Sequence, residues 1–229
     1  MSLLICSDLH GAFNTLLRLL NKCPKELVNS DDLVFLGDLI DRGPNSKQVV
    51  EFTTNEGVRT CAANHEDLAM AFHNTKPNCS AWYDNGVWLE NGGCDTLTSF
   101  GQDPYRGRLP DSILNWMANL PIYIIDKRYP NLLLSHTGHA KIKAQPSDMN
   151  NRFNALWNRN HQFKADGYYR ILGHTPELEP IMKDNYSMID TGAAYASRGY
   201  GVMTAMIWPS KEIIQQPYDE TPFRTTVQV

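Results

Sequence analysis

The sequence predicts an α/β fold in which two mixed β-sheets pack face to face as a sandwich and α-helices flank them. Three observations predict it. Short apolar runs alternate with helical patterns over about the first 75 residues, the second half is rich in strand-like runs, and no linker divides the chain. The 229 residues, 42% of them hydrophobic, suffice for one core, so we expect a single domain over residues 1–229.

The first third of the chain reads as βαβαβ followed by a helix. Breakers and apolar spacing predict strands at 3–7, 33–36 and 58–62, and helices at 13–20, from 44–46 to a stop at Gly57, and at 66–72. This alternation is typical of a mostly parallel sheet, in which ligands bind at the carboxyl ends of strands. We therefore expect the loops after these strands to meet at one edge.

The middle of the chain, 75–120, has the pattern of helices and loops. Trp82, Tyr83, Trp88 and Leu89 are expected to anchor it in the core, and Pro110 suits the first turn of a helix. The second half predicts strands at 122–125, 132–134, 171–172, 188–189 and 202–207. The polar tail from 217 onward is expected to be extended or frayed.

Composition excludes several classes of protein. The formal net charge is −4, so no overall positive field would gather nucleic acid, and we expect no nucleic-acid partner. The 5 cysteines include no C-x-x-C pair and are odd in number, which indicates reduced thiols rather than a disulfide framework. No signal peptide or membrane-length apolar run is visible, so a cytoplasmic protein without membrane contact is expected.

Residues with metal-ligand chemistry follow five of the predicted strands. Each has an ordinary alternative: a surface turn, a turn with a local ion pair, a helix cap or a buried core histidine. Five strand ends that all carry such residues make coincidence improbable. Mixed oxygen and nitrogen ligands favour Mn, Fe or Zn over Mg or Ca. The candidate ligands are Asp8, His10, Asp38, Asn64, His136 and His174.

Three segments resemble the hallmarks of a known family. Asp8-Leu9-His10, Gly37-Asp38-Leu39-Ile40-Asp41-Arg42-Gly43 and Ala63-Asn64-His65-Glu66 resemble the motifs D-x-H, G-D-x-x-D-R-G and G-N-H-E of calcineurin-like metallophosphoesterases. The likeness is greatest to the PPP family of serine/threonine protein phosphatases, in its bacteriophage and bacterial branch. Further shared segments at 89–93, 156–159, 172–176 and 189–193 extend it over nearly the whole chain. Ala63, where the family usually has glycine, and Thr137 depart from the pattern.

The resemblance implies a role for each residue. Two divalent ions are expected, with Mn as the first expectation and Fe or Zn as alternatives. Asp41 would orient His65 as the general acid, and Arg42 and Arg159 would bind the phosphate together with Asn64 and His65. The first metal would be held by Asp8 and His10, the second by Asn64, His136 and His174, and Asp38 would bridge both.

The activity that the resemblance implies is hydrolysis of phosphoserine and phosphothreonine in a phosphoprotein or phosphopeptide. A hydroxide bridging the two metals would attack phosphorus directly. The alternatives are a symmetrical diadenosine tetraphosphate hydrolase, a cyclic-nucleotide phosphodiesterase and a non-catalytic scaffold. Such nucleotide hydrolases typically have alanine at the position of Asp41, which favours the protein phosphatase. His73, His139 and His161 match no ligand position and are expected to lie outside the site.

Overall fold

The structure, a computed structural model, describes residues 2–74, 86–144 and 148–223. Two mixed sheets form its centre, as the sequence predicts. The first sheet has the order β3-β2-β1-β8-β9 and the second the order β4-β5-β7-β6. The strands are β1 (Leu3–Cys6), β2 (Leu33–Phe35), β3 (Arg59–Thr60), β4 (Leu132–Leu134), β5 (Tyr169–Leu172), β6 (Ile181–Met182), β7 (Tyr186–Met188), β8 (Val202–Trp208) and β9 (Glu212–Pro217).

The parallel strands of each sheet carry the loops of interest. In the first sheet β1 pairs in parallel with β2, and β2 with β3, while β8 and β9 add antiparallel edges. In the second sheet β4, β5 and β7 are parallel, and β6 is antiparallel to β7. Each sheet thus has three parallel strands whose carboxyl ends share an edge.

Alternation of side chains along β1 explains why the sheets stack. Leu3 and Ile5 belong to a core cluster that includes Leu134 and Ile171 of the second sheet. Leu4 and Cys6 point the other way and pack in the cluster formed with the helices. Strands buried on both faces read as continuous apolar runs, which is the pattern of Leu3–Cys6.

Helices pack against the outer face of the first sheet. Helix α1 packs its apolar stripe, which includes Leu16, Leu19 and Leu20, into the core. Within the described ranges no helix is long and apolar enough to cross a membrane. The helices are α1 (Phe13–Lys22), α2 (Ser46–Asn55), α3 (Asn64–Phe72), α4 (Gly86–Trp88), α5 (Cys94–Ser99), α6 (Asp111–Ala118) and α7 (Met149–Trp157), with a π-helical turn at Leu89–Gly93 and 3₁₀ turns at Lys25–Leu27 and Ala196–Arg198.

Some predicted elements are wrong or incomplete. The expected strand at 122–125 is reduced to one bridge between Ile124 and Leu134, because a turn at Asp126 reverses the chain directly afterwards. The third strand, predicted at 58–62, is only β3, since the amide of Ala62 leaves the sheet for the carbonyl of Pro121. Pro110 lies one residue before α6 rather than inside it. The sequence did not predict β6, β9 or α7, and Trp82 and Tyr83 lie outside the described residues.

The tail is not frayed where the structure describes it. Strand β9 ends at Pro217, and the following segment folds back onto α1. Glu220 accepts hydrogen bonds from the backbone amides of Asn14 and Thr15, at 3.1 and 2.9 Å, and Asp219 pairs with Arg18. The expectation of a frayed tail is therefore wrong for 217–223, and 224–229 lie outside the described residues.

Four cysteines are described, and all have free thiols, as expected. Cys6, Cys23 and Cys61 are buried, and Cys94 is half-buried. Burial raises the pKa of Cys23 and of Cys61 to about 12, so both stay protonated at neutral pH. Cys79 lies outside the described residues.

Candidate dinuclear metal centre

The predicted ligands converge at one edge of the sandwich. Asp8, Asp38 and Asn64 follow the parallel strands of the first sheet, and His136 and His174 follow β4 and β5 of the second. Two compact groups result, each with ligand atoms within 4.8 Å of one another. The first consists of His10, Asp38 and His65, and the second of Asp38, His136 and His174.

Asp38 belongs to both groups, as a bridging ligand should. Its Oδ2 lies 3.5 Å from Nε2 of His10 and 3.6 Å from Nε2 of His136. Its Oδ1 accepts the amide of His65 at 3.1 Å, in the first turn of α3, where a carboxylate is favoured by the helix dipole. This places one carboxylate between two clusters of imidazole nitrogens.

Backbone carbonyls fix which ring nitrogen faces the site. Nδ1 of His10 donates to the carbonyl of Ile40 at 3.0 Å, and Nδ1 of His136 donates to that of Leu36 at 3.1 Å. The proton therefore sits on Nδ1 in both rings, and Nε2 keeps a lone pair directed at Asp38. Orientation of this kind is what a metal-binding histidine requires.

The second group has the geometry and the protonation of a cation site. Nε2 of His136 lies 2.8 Å from Oδ1 of Asn64 and 3.0 Å from Nδ1 of His174. Burial lowers the pKa of His136, so the ring is neutral and its proton is committed to Leu36. Lone pairs then face one another at short range in a buried site. A divalent cation satisfies such a set, so the residues fit the metal.

Asp8 reaches the same edge but lies outside both compact groups. Its Oδ1 accepts the hydroxyl of Ser7 at 2.7 Å, and its carboxylate accepts the amide of His174 at 3.2 Å. A Cβ on Gly173 would lie 2.1 Å from Oδ1 of Asp8, so only glycine allows this approach. Asp8 thus joins the first sheet to the loop that carries His174.

His65 and Asp41 form a buried pair beside the metal ligands. Nδ1 of His65 donates to Oδ2 of Asp41 at 2.6 Å. Trp88 Nε1 donates to the same oxygen at 3.0 Å, and the hydroxyl of Thr96 donates to Oδ1 at 2.7 Å. Three donors hold the Asp41 carboxylate, and Nε2 of His65, 3.9 Å from Oδ2 of Asp38, faces the site.

Burial decides how this pair holds its protons. It raises the pKa of Asp41 and, together with the charges of His10 and Arg42, lowers the pKa of His65. Both pKa shifts disfavour a single uncompensated charge on Asp41 or His65, and so favour a pair with no net charge. In either neutral form, imidazolium with carboxylate or imidazole with carboxylic acid, Nε2 of His65 carries a proton. The pair can therefore donate from Nε2.

Two predicted phosphate-binding arginines reach the site. The guanidinium of Arg42 lies against Nε2 of His10, and Nη1 of Arg159 donates to the carbonyl of His174 at 3.0 Å. Burial, followed by the charge of Asp8, raises the pKa of Asp38, and the charges of Arg42 and Arg159 oppose that rise. Both guanidiniums are thus close enough to act on the site electrostatically.

These two arginines differ from most others in their partners. Among the residues that the structure describes, six arginines pair with carboxylates: Arg18, Arg59, Arg108, Arg128, Arg152 and Arg170. Neither Arg42 nor Arg159 has a carboxylate within ion-pair distance in these ranges. Unpaired guanidiniums beside a carboxylate-rich centre suit an anionic ligand.

Strained backbone concentrates at the site. Eight non-glycine residues in the described ranges have positive φ, and five of them are predicted site residues. A non-glycine residue in this region costs about 1–2 kcal/mol, and such strain is typical of functional loops. The five are His10 (φ 42°), Asp38 (φ 48°), Asp41 (φ 74°), Arg42 (φ 70°) and His174 (φ 68°).

Sequence reasoning gave no role to several residues that support the site. Both oxygens of buried Glu66 accept backbone amides, from Asp38 at 3.2 Å and Leu39 at 2.8 Å, and so hold the loop of the bridging carboxylate. Burial raises the pKa of Glu66 to about 7. The sequence could have pointed to Glu66, because it directly follows Asn64 and His65 in the segment that resembles the G-N-H-E motif.

Two further residues of this kind are Trp88 and Asp190. Trp88, expected only as a core anchor, is buried and also binds Asp41. Asp190 follows β7 as the other site residues follow their strands, and burial with the charge of Asp8 raises its pKa. The expected strand at 188–189 included the residue before it, but no ligand role was assigned there.

Three further histidines were predicted to lie outside the site. His73, His139 and His161 belong to neither metal-ligand group among the described residues. His73 packs instead against the rings of Phe72 and Trp88.

The sandwich and its edge of carboxylates and imidazoles define a metal-dependent phosphoesterase fold. Residues 1–199 match the family model described as calcineurin-like phosphoesterase, and the chain belongs to that family. This confirms the resemblance that the motifs carry.

Relatives within the family differ in the substrates that their names state. The chain is 26% identical over 202 residues to serine/threonine-protein phosphatase 1 of Salmonella typhimurium, covering 85% of this chain and 88% of the relative. It is 23% identical over 251 residues to the asymmetrical bis(5'-nucleosyl)-tetraphosphatase PrpE of Oceanobacillus iheyensis, covering 95% and 94%. A protein serine/threonine phosphatase structure from Saccharomyces cerevisiae superposes with a TM-score of 0.56 at 15% identity, covering 98% and 81%. That last likeness concerns the fold alone.

Proposed function

We propose that this protein is a metal-dependent phosphomonoesterase that removes phosphate from phosphoserine and phosphothreonine in proteins or peptides. The observation that carries the proposal is the buried pair of Asp41 and His65, with Nδ1 held at 2.6 Å and Nε2 facing the ligands. A serine or threonine alkoxide is a poor leaving group, and a proton on Nε2 supplies what it needs.

The metal ions in this proposal are two divalent cations, Mn first and Fe or Zn as alternatives. When bound, they polarise the phosphoryl group and lower the pKa of water. Asp38 bridges the two sets of ligands. His10 completes the first set together with Asp8, which the family resemblance adds, while His65 of the same compact group is assigned to proton transfer. Asn64, His136 and His174 complete the second set.

The protein's own groups divide the remaining work. Arg42 and Arg159 bind phosphoryl oxygens, for which their planar guanidinium forks are suited. Asp41 holds the imidazole of His65 in one orientation, and Nε2 passes its proton to the leaving oxygen. The helix dipole of α3 acts on Asp38 through the amide of His65.

A second candidate is hydrolysis of bis(5'-nucleosyl) tetraphosphates. It is favoured by relatives that carry this activity in their names, including one that matches 95% of the chain. Cleavage there expels a phosphate group, which needs less protonation than an alkoxide. A buried imidazole oriented by a carboxylate, which Trp88 and Thr96 also hold, therefore supports the ester substrate more strongly. Cyclic-nucleotide phosphodiesterase activity is a third candidate, which only the family resemblance suggests.

The deciding experiment compares substrates by kcat/KM. Protein loaded with Mn is assayed with a phosphoserine peptide, a dinucleoside tetraphosphate and a cyclic nucleotide. We expect the phosphopeptide to have the highest kcat/KM. A strong preference for the tetraphosphate would replace the first candidate with the second. If no substrate is hydrolysed with any of the divalent metals tested, the proposal that the protein is an enzyme is wrong.

The His65→Asn substitution tests the acid directly. We expect kcat on an alkyl phosphate to fall by about 10²–10⁴-fold, and by much less on p-nitrophenyl phosphate, whose leaving group needs no proton. Metal content, measured by mass spectrometry, should stay at the level of the unmodified protein. The His139→Asn variant, at a histidine outside both metal-ligand groups, is the control. Equal losses on both substrates, or loss of metal, would contradict the assignment.

A further inference from the structure

The loop between β7 and β8 carries two side chains that the proposed reaction does not use. Its ends meet where the amide of Gly201 donates to the carbonyl of Gly192 at 3.0 Å, and the amide of Tyr195 donates to the same carbonyl at 2.8 Å. The 3₁₀ turn Ala196–Arg198 then ends at Gly199, whose φ is 87°. The loop is thus a closed, hydrogen-bonded turn that fixes where Tyr195 and Arg198 lie.

The ring of Tyr195 lies at the mouth of the site. Its centroid is 6.2 Å from that of the His10 ring, in an edge-on arrangement. The guanidinium carbon of Arg42 lies over the ring at 4.4 Å from the centroid. This distance is within the range of a cation–π interaction, so the ring helps to hold Arg42 beside the ligands.

A second guanidinium uses the same ring. The guanidinium carbon of Arg198 lies 5.1 Å from the centroid of Tyr195. Arg42 and Arg198 therefore both contact the ring of Tyr195. Arg198 is exposed, and no carboxylate in the described ranges pairs with it. A cation held beside the site without a carboxylate partner favours a second anionic group.

We propose that Tyr195 and Arg198 form an anion-selecting arm, so that the site prefers phosphate esters with a second anionic group close to the scissile phosphate. Arg42 binds the phosphate that is cleaved, and Arg198 binds the neighbouring group. An acidic side chain beside a phosphoserine and a further phosphate in a nucleotide polyphosphate both supply that chemistry. The inference rests on the proposed phosphoesterase activity but not on which of these substrates is natural.

The test compares matched substrates in the Mn-loaded protein. Phenyl phosphate is paired with carboxyphenyl phosphate, and a phosphoserine peptide with glutamate at the next position is paired with its glutamine counterpart. The readout is the ratio of kcat/KM within each pair. In the unmodified protein we expect the anionic member to be favoured, and the preference to weaken as salt is raised.

The Arg198→Gln variant should reduce this ratio by about two- to fivefold, the range of an exposed ion pair. Tyr195→Leu should reduce it as well, whereas Tyr195→Phe, which keeps the ring, should preserve it. Arg106→Gln removes another exposed arginine and is the matched control. An unchanged ratio in Arg198→Gln, or an equal change in Arg106→Gln, would overturn the proposal.

The substrate pairs also separate this inference from the proposed function. If Arg198→Gln changes the kcat/KM ratio for the aryl phosphates but the protein hydrolyses no phosphopeptide, the anion-selecting arm stands and the phosphoprotein substrate is rejected. In that case, Arg198→Gln should lower kcat/KM for a dinucleoside tetraphosphate more than for phenyl phosphate. If the protein hydrolyses the phosphopeptides but Arg198→Gln leaves the kcat/KM ratios unchanged, the proposed function stands and the anion-selecting arm is rejected.

Discussion

At the scale of single residues, the absence of a side chain is as important as the ligands themselves. Gly173 packs directly on the carboxylate of Asp8, where a Cβ would lie 2.1 Å from Oδ1. Gly37, with φ of 96°, similarly leaves room for the methyl of Ala63, which a Cβ would approach to 2.5 Å. The alanine that replaces the family's usual glycine is thus accommodated by its neighbour.

The Gly173→Ala substitution should push Asp8 out of place and weaken the first metal site. We expect metal content to fall toward one ion per chain and kcat to fall with it, because Asp8 also anchors the amide of His174. Mass spectrometry of the desalted protein measures the metal. Gly167→Ala is the control, since that residue has φ of 88° but nothing within 4 Å. Two ions retained in Gly173→Ala would refute the steric argument.

Sequence reasoning at this scale pointed to candidate ligands but not to the groups that orient them. A polar residue directly after an apolar strand is visible in one chain segment, as with Asp38 and His136. The carbonyl of Leu36 that orients His136 lies 100 residues away, and Trp88 reaches Asp41 across 47 residues. Such partners depend on how distant loops pack, which no local pattern encodes.

At the scale of elements, the C-terminal segment caps the first helix. The N-cap residue of α1, Ala12, has no side chain that could accept an amide. Glu220 takes that role from the far end of the chain, through the amides of Asn14 and Thr15. A negative carboxylate at a helix N-terminus also opposes the positive end of the dipole.

The Glu220→Gln substitution should lower the free energy of unfolding by about 1 kcal/mol, because it removes the charge at the helix N-terminus and one of the two oxygens that accept the amides of Asn14 and Thr15. Denaturant unfolding measures it, with an unchanged m-value expected. Glu212→Gln, an exposed residue of β9, serves as the control and should change stability by less than about 0.5 kcal/mol. Equal effects of both variants would show that the segment does not cap α1.

Elements with strong local patterns were predictable, and weak ones were not. The run Leu3–Cys6 and the stripe of α1 are encoded by apolar spacing alone. Strand β6 has two residues, and β9 has two isoleucines followed by two glutamines and a proline, so neither forms a long apolar run. They exist because β7 and β8 offer open edges, which is a tertiary cause.

At the scale of the whole molecule, the site lies across the junction of the two sheets. Asp8 and Asp38 come from the first sheet, and His136 and His174 from the second. Between the sheets the contacts are apolar, as in the cluster of Leu3, Ile5 and their partners. The sandwich was predictable because both halves of the sequence carry short buried strands, while the meeting of their loops followed from the rule for parallel strands.

Metal ions should therefore stabilise the sandwich as a whole. The ligands of each ion come together only in the folded chain, and those of the second ion come from both sheets, so binding adds to stability by mass action, about 2.7 kcal/mol for one ion at 100 times its Kd. We expect chelation to lower Tm by roughly 5–10 °C, given about 2–4 °C per kcal/mol for a chain of this size. Calorimetry of loaded and chelated protein measures the shift. His65→Asn should keep it, because His65 is assigned to proton transfer, whereas Asp38→Asn should lose most of it. The same Tm with and without metal would mean that the ions do not join the sheets.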